Sequence, residues 1–149
     1  MNNHKAFTLI EILVVIAILA GFMALLVPNM MLVRMKARDM RRKSDLKAIQ
    51  KALEMYKLNQ PLPVYPEHLT ACSALSDPDS LNTYMAKVPS DPLTNCPSPA
   101  IFYQYIPTAD NSSYSLTACL ENTNDPEKIA ACPVGFTCTG RACYQLTPP

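Results

Sequence analysis

An α+β fold, one long amino-terminal helix packed against a small antiparallel sheet in a disulfide-bonded head, follows from three observations on this 149-residue sequence. No charge interrupts the 22 residues from Ile12 to Val33. Further on, Leu46, Ile49, Leu53 and Tyr56 recur at steps of three, four and three, which is one face of an amphipathic helix. From Pro61 onward the chain holds thirteen of its fourteen prolines, all six cysteines and two short Tyr-bearing runs, the signature of loops, bridges and strands. A helix followed by strands, without alternation, gives α+β rather than a parallel α/β sheet.

Residues 1–6 form a short polar leader with Lys5 and His4, and His4 is read as a solvated residue without a role. The apolar segment 7–33 comes next. At about 1.5 Å per residue its uncharged part spans the roughly 30 Å of a bilayer's hydrocarbon core. Glu11 stands just inside its start, where an unpaired carboxylate is costly in lipid and calls for a partner. A secretory signal places its small-residue cleavage site after the apolar core. Here the small residue, Ala6, precedes it, so a cut there leaves the apolar segment on the protein with Phe7 as its new amino terminus. Gly21 and Pro28 interrupt the run, and a missing donor at one with a weak helix former at the other marks that interval for bending or loosening.

Segment 34–59 continues as a basic amphipathic helix. Arg34, Lys36, Arg38, Arg41, Arg42 and Lys43 face only Asp39. Such a run fits nucleic acid or anionic lipid, but the reading adopted is a solvated helix face at the membrane exit. Asn59 and Pro61 supply the stop. With no breaker between Pro28 and Asn59, one rod of about 75 Å runs from Phe7 to Lys57.

Residues 60–149 form the head. Prolines keep 61–66 extended and break the segment up to Pro99. Short helices are expected over 66–75 and 80–87, strands over 101–106 and 114–120, and a third strand between Gly135 and Leu146 with a hairpin around Thr139-Gly140-Arg141. Asp110 and Asp125 are read as turn residues. Cys72, Cys96, Cys119, Cys132, Cys138 and Cys143 all follow the apolar span; their even number in a small head reads as a disulfide framework of an oxidising compartment. Short loops suggest the pairs Cys72–Cys96, Cys119–Cys132 and Cys138–Cys143. Residues 34–57 carry nine positive and three negative charges, whereas 58–149 carry three and eight, a basic stem on an acidic head.

The residues give no catalytic constellation. Three glycines leave no phosphate-cradling loop, His68 has no nucleophile beside it, and no Cys-x-x-Cys supports zinc or thiol redox chemistry. The chain is therefore read as a non-enzyme with no cofactor and no metal.

The order Lys5-Ala6-Phe7-Thr8-Leu9-Ile10-Glu11, followed by about twenty apolar residues, resembles the prepilin signature of type IV pilins and type II secretion pseudopilins, with Ala6 where the family usually has Gly. More weakly, Tyr84-x-x-x-x-Pro89-x-Asp91-Pro92, Tyr103-x-Tyr105 and Tyr114-x-Leu116 look like the major pseudopilin. The resemblance implies cleavage between Ala6 and Phe7 by a membrane prepilin peptidase and methylation of the Phe7 amine. It also implies homopolymerisation through the helix with Glu11 facing a neighbour's amine, and partial unwinding between Gly21 and Pro28 in the filament. The implied location is the bacterial inner membrane, with the amino terminus inside, followed by an extracellular or periplasmic filament built by the assembly machinery. The basic flank alone would place the other side inside; the cysteines and the prepilin order outweigh it. A minor tip pilin or a DNA-uptake pseudopilin, with nucleic acid as partner, is the alternative. The calcium loop common in such pseudopilins is not carried over, because this chain has no Trp and closes on cysteines.

Overall fold

The computed structural model describes residues 7–77, 82–94, 96 and 103–149, with the backbone but not the side chains of 25–29. Helix α1 runs Leu9–Asn59 and is followed by β1 (Leu75–Ser76), β2 (Thr83–Met85), β3 (Tyr103–Pro107), β4 (Tyr114–Leu120) and β5 (Ala142–Leu146). The architecture is α+β, as the sequence predicts. Two compact units divide at Met35/Lys36.

In the first unit the apolar side chains point outward on every side. Ile10, Leu13, Val15, Ile18, Leu19 and Phe22 are each about half exposed or more. A helix apolar all round has no solvated face and is made to be covered by lipid or by other helices. Among the described residues no helix is long and apolar enough to cross a membrane. The described apolar side chains run to Ala24 and resume at Met30, and Met30, Met31, Leu32 and Val33 at the far end of the proposed span are exposed as well. The helical backbone is continuous through Gly21 and Pro28 in the single chain.

The second unit is built on the other end of α1. Leu46, Ile49, Leu53 and Tyr56 are buried, with Ala52 between them. They pack with Tyr114, Leu116, Ala118 and Leu120, the alternate residues of β4, and with Tyr144 of β5. A strand side chain alternates faces, so this set defines the helix-facing side of the sheet, and Cys119 belongs to a second cluster with Cys138 and Cys143. Each fully buried Leu here is worth about 1.5–3 kcal/mol of burial. The three-stranded sheet is antiparallel in the order β3-β4-β5, with Tyr105 opposite Leu116 and Cys119 opposite Cys143.

The helices expected over 66–75 and 80–87 are replaced by β1 and β2, an antiparallel pair with a register shift at Leu75/Ser76. Backbone bonds explain the change: Cys72 N–H donates to Val88 O and Val88 N–H to Ser73 O, each at 2.8 Å. With Cys72 at φ +69° the chain has left the helical region. Residues 80–81 of the second expected helix, and 101–102 of the first expected strand, lie outside the described residues. The third strand is confined to 142–146 and pairs with β4; the expected hairpin around Gly140 is a turn closed by Arg141 N–H on Cys138 O, with Gly140 at φ +67°.

Candidate assembly site and the helix–head clamp

Ala6 lies outside the described residues. Phe7 is exposed, and the helix that follows opens with a reciprocal cap. Thr8 donates from N–H and from Oγ1 to Glu11 Oε2, each at 3.0 Å, and Glu11 N–H donates back to Thr8 Oγ1 at 3.3 Å. This capping box satisfies two of the helix's orphan donors. In the lone chain, then, Glu11 is held at the helix start rather than left unpartnered, next to the residue whose amine a cut after Ala6 would create.

The basic run after Val33 does not form the uniformly solvated face expected of it. Arg34, Lys36 and Arg41 are exposed, but Asp39, Arg42 and Lys43 are buried against the head. The stripe that begins with Leu46 extends backward two turns, so 39, 42, 46, 49, 53 and 56 share a face. Arg42, fully buried, forks onto Asp91 through Nε (2.5 Å) and Nη2 (3.1 Å), and gives Nη1 to Asp39 (2.7 Å) and Glu121 (2.8 Å). Arg38 takes both oxygens of Glu121. Asp39 also accepts the N–H groups of Glu121 and Asn122, at 2.9 and 2.8 Å. A carboxylate meeting charged and backbone donors at once is well satisfied, which is the condition for burying it. Arg38 and Arg42 hold the Glu121 carboxyl down at about 2.

Beside this clamp Lys43 Nζ donates to Asp125 and to Glu127, each at 2.6 Å, and stands 5.3 Å above the Tyr144 ring. Asp125 does stand in a turn, accepting Glu127 N–H. Asp110 is likewise a turn residue, bonded to Thr108 Oγ1 and to Ser112 N–H and Oγ, which keep its carboxyl at about 2. These donors do not fit a calcium ion, since the paired acids of the closing loop already hold an ammonium of the same chain. The sulfurs of Cys132, Cys138 and Cys143 cluster, but all are in bridges and offer no thiolate.

The Tyr motifs also find roles. Tyr103 donates to Asp45 at 2.8 Å, Tyr105 to Pro66 O at 2.6 Å, and Tyr65 and Tyr114 to Glu54 at 2.8 and 3.3 Å. Each ring spans the core and ties its hydroxyl to the helix or to the loop beyond it.

The bridges are Cys72–Cys96, Cys119–Cys138 and Cys132–Cys143. The first agrees with the sequence expectation. The other two are interleaved, which overturns Cys119–Cys132 and Cys138–Cys143. Sheet register decides: β4 and β5 set Cys119 and Cys143 side by side, and each takes a separate cysteine from the connecting loop.

Comparison with known proteins matches residues 1–27 to the prokaryotic N-terminal methylation motif. Over 99 residues the chain is 38% identical to the type II secretion system core protein G of Klebsiella pneumoniae, covering 62% of this chain and 71% of the relative. The chain belongs to the type II secretion core protein G family. Its relative of the same name in Pseudomonas aeruginosa is 36% identical over 124 residues, 77% of this chain and 82% of the relative. That of Vibrio cholerae is 31% identical over 121 residues, 76% and 77% of the two chains. No solved structure matches. Within that family, the chain combines the prepilin start with a head closed by two interleaved bridges. The Asp91 of its Pro-x-Asp-Pro motif is what receives the buried guanidinium of Arg42.

Proposed function

We propose that this protein is a structural subunit of a type II secretion pseudopilus, with no catalytic role of its own. It is made as a precursor, anchored in the inner membrane by segment 7–33 with its amino terminus inside. A prepilin peptidase cuts between Ala6 and Phe7 and the new amine is methylated. Subunits then pack side by side through their apolar helices, Glu11 exchanging its own cap for the Phe7 amine of a neighbour, while 21–28 loosens to fit the filament. The observation that carries this reading is the all-round apolar exposure of the helix behind a Thr8/Glu11 cap in a chain of this family. A carboxylate within a dry bundle is tolerated only with a partner, and a mere anchor has no use for one.

The test is intact mass and amino-terminal sequencing of the protein from its native host. The expected chain starts at methylated Phe7 and is lighter by six hydrogen atoms for its three bridges. A chain still starting at Met1 would overturn the reading.

A further inference from the structure

An apolar knob and an apolar hollow stand at the two ends of strand β5. The knob is the loop that leads into it. From Ile129 to Gly140 this loop carries no charge, and Val134 at its tip is 98% exposed. Both shoulders of the tip are pinned, Cys132 to Cys143 and Cys138 to Cys119. Phe136 N–H closes the turn on Pro133 O at 3.0 Å, and Phe136 packs against the bridged cysteines. The tip therefore holds its apolar side chain in water at a fixed place, so little ordering remains to be lost when a partner covers it.

The hollow is an open cavity of about 410 Å³ where the tail after β5 meets α1, lined by Gln50, Lys51, Glu54, Met55 and Pro149. Its polar residues turn their ends elsewhere. Gln50 Nε2 donates to Thr147 O at 2.7 Å, and Glu54 Oε1 accepts the Tyr65 and Tyr114 hydroxyls. What faces the cavity is mostly carbon, the Met55 and Pro149 side chains and the stems of the other three. Leu58, also exposed, extends the same helix face by one turn. Such a wall gains by meeting an apolar, uncharged group. Val134 does not supply it within its own chain, since almost none of its surface is covered. Two matching surfaces at different places on one molecule join copies head to tail, a contact that repeats along a filament.

We propose that the tip around Val134 of one copy seats in the Met55 hollow of the next. The contact rests on the filament reading and adds to its helix packing a junction between heads. The test puts p-benzoylphenylalanine in place of Lys51, an exposed residue on the rim of the hollow, in the full chain made by its native host. Irradiated cells should give a dimer whose cross-link joins position 51 of one copy to a peptide within 131–137 of another. In that background Val134→Asp should lower the dimer yield about tenfold, because its charge would have to enter a hollow of carbon, and Val134→Ile should preserve it. Val134 is so exposed that its variants keep the fold. No dimer, a cross-link to another part of the second copy or to another protein, or a yield indifferent to Val134→Asp would each overturn the proposal. Electron microscopy of wild-type cells separates the two readings: filaments without the cross-link overturn the contact alone, and absent filaments with a chain still starting at Met1 overturn both.

Discussion

Replacing Arg42 by Met isolates the energetics of the clamp. Arg42 is fully buried and touches three carboxylates, but these do not depend on it equally. Without it Glu121 keeps Arg38, and Asp39 keeps two backbone N–H groups. Asp91, 1% exposed, keeps the Leu93 N–H at 2.8 Å and loses its forked cation. Stranding one member of a buried pair costs about 3–5 kcal/mol. With a urea slope of about 2 kcal/mol/M, a loss near 4 kcal/mol lowers the unfolding midpoint by about 2 M. The chain has seven Tyr and no Trp, so tyrosine fluorescence of the full chain in detergent follows the head. The double variant Arg42→Met, Asp91→Leu removes the stranded charge and should regain at least about 2 kcal/mol, because apolar replacement of a buried pair is often neutral. An Arg42→Met midpoint close to that of the wild type, or a double variant no better than the single, would refute the reasoning.

The remaining predictions concern protons, bridges and assembly. Glu121 titrates near 2 when folded against an ordinary 4.5, so it contributes stability that is complete above 4.5 and is lost as pH falls toward 2. Glu121→Gln should therefore be less stable than wild type at neutral pH and converge on it near pH 2; a gap that persists there would contradict the ion-pair account. Removing the Cys72–Cys96 bridge, whose cysteines are 24 residues apart, should cost about 3 kcal/mol by urea unfolding. Because that bridge closes the loop carrying Asp91, its loss combined with Arg42→Met should cost less than the sum of the two. Glu11→Ala should still yield a chain starting at Phe7 but few regular filaments by electron microscopy of sheared cells, and normal filaments would remove the need for charge pairing.

The helix and the sheet were legible because their signals are local. Leu46, Ile49, Leu53 and Tyr56 announce a buried stripe by spacing alone, and Tyr114 to Leu120 announces a strand by its alternation. The buried charges were not legible, because Arg38, Arg42 and Lys43 look the same in a sequence as the exposed Arg34, Lys36 and Arg41. What distinguishes them is the arrival of Asp91 and Glu121 from far along the chain. A signal was present nonetheless: Asp39 and Arg42 lie on the backward extension of the Leu46 stripe, and that extension is visible once charged residues are allowed on it. Two of the three expected bridges failed for the same reason, while Cys72–Cys96 held. Adjacency in the sequence favoured Cys119–Cys132, whereas the fold brings β5 beside β4 and with it Cys138, at the end of the connecting loop, onto Cys119. The two short helices failed because the hydrogen bonds of 72–73 go across to Val88 instead of back along the chain.

The interleaving of the last two bridges also sets a problem of order. A chain made and delivered from its amino end presents Cys119 first, then Cys132, and only later Cys138 and Cys143. The first two of these to meet an oxidant are not partners in the finished head. A bond formed at that moment can be undone by the chain's own Cys138 thiolate attacking Cys119 and freeing Cys132 for Cys143, but once an oxidant also closes Cys138 on Cys143 no thiol of the last four is left, and only an outside thiol can release a head locked in the wrong connectivity.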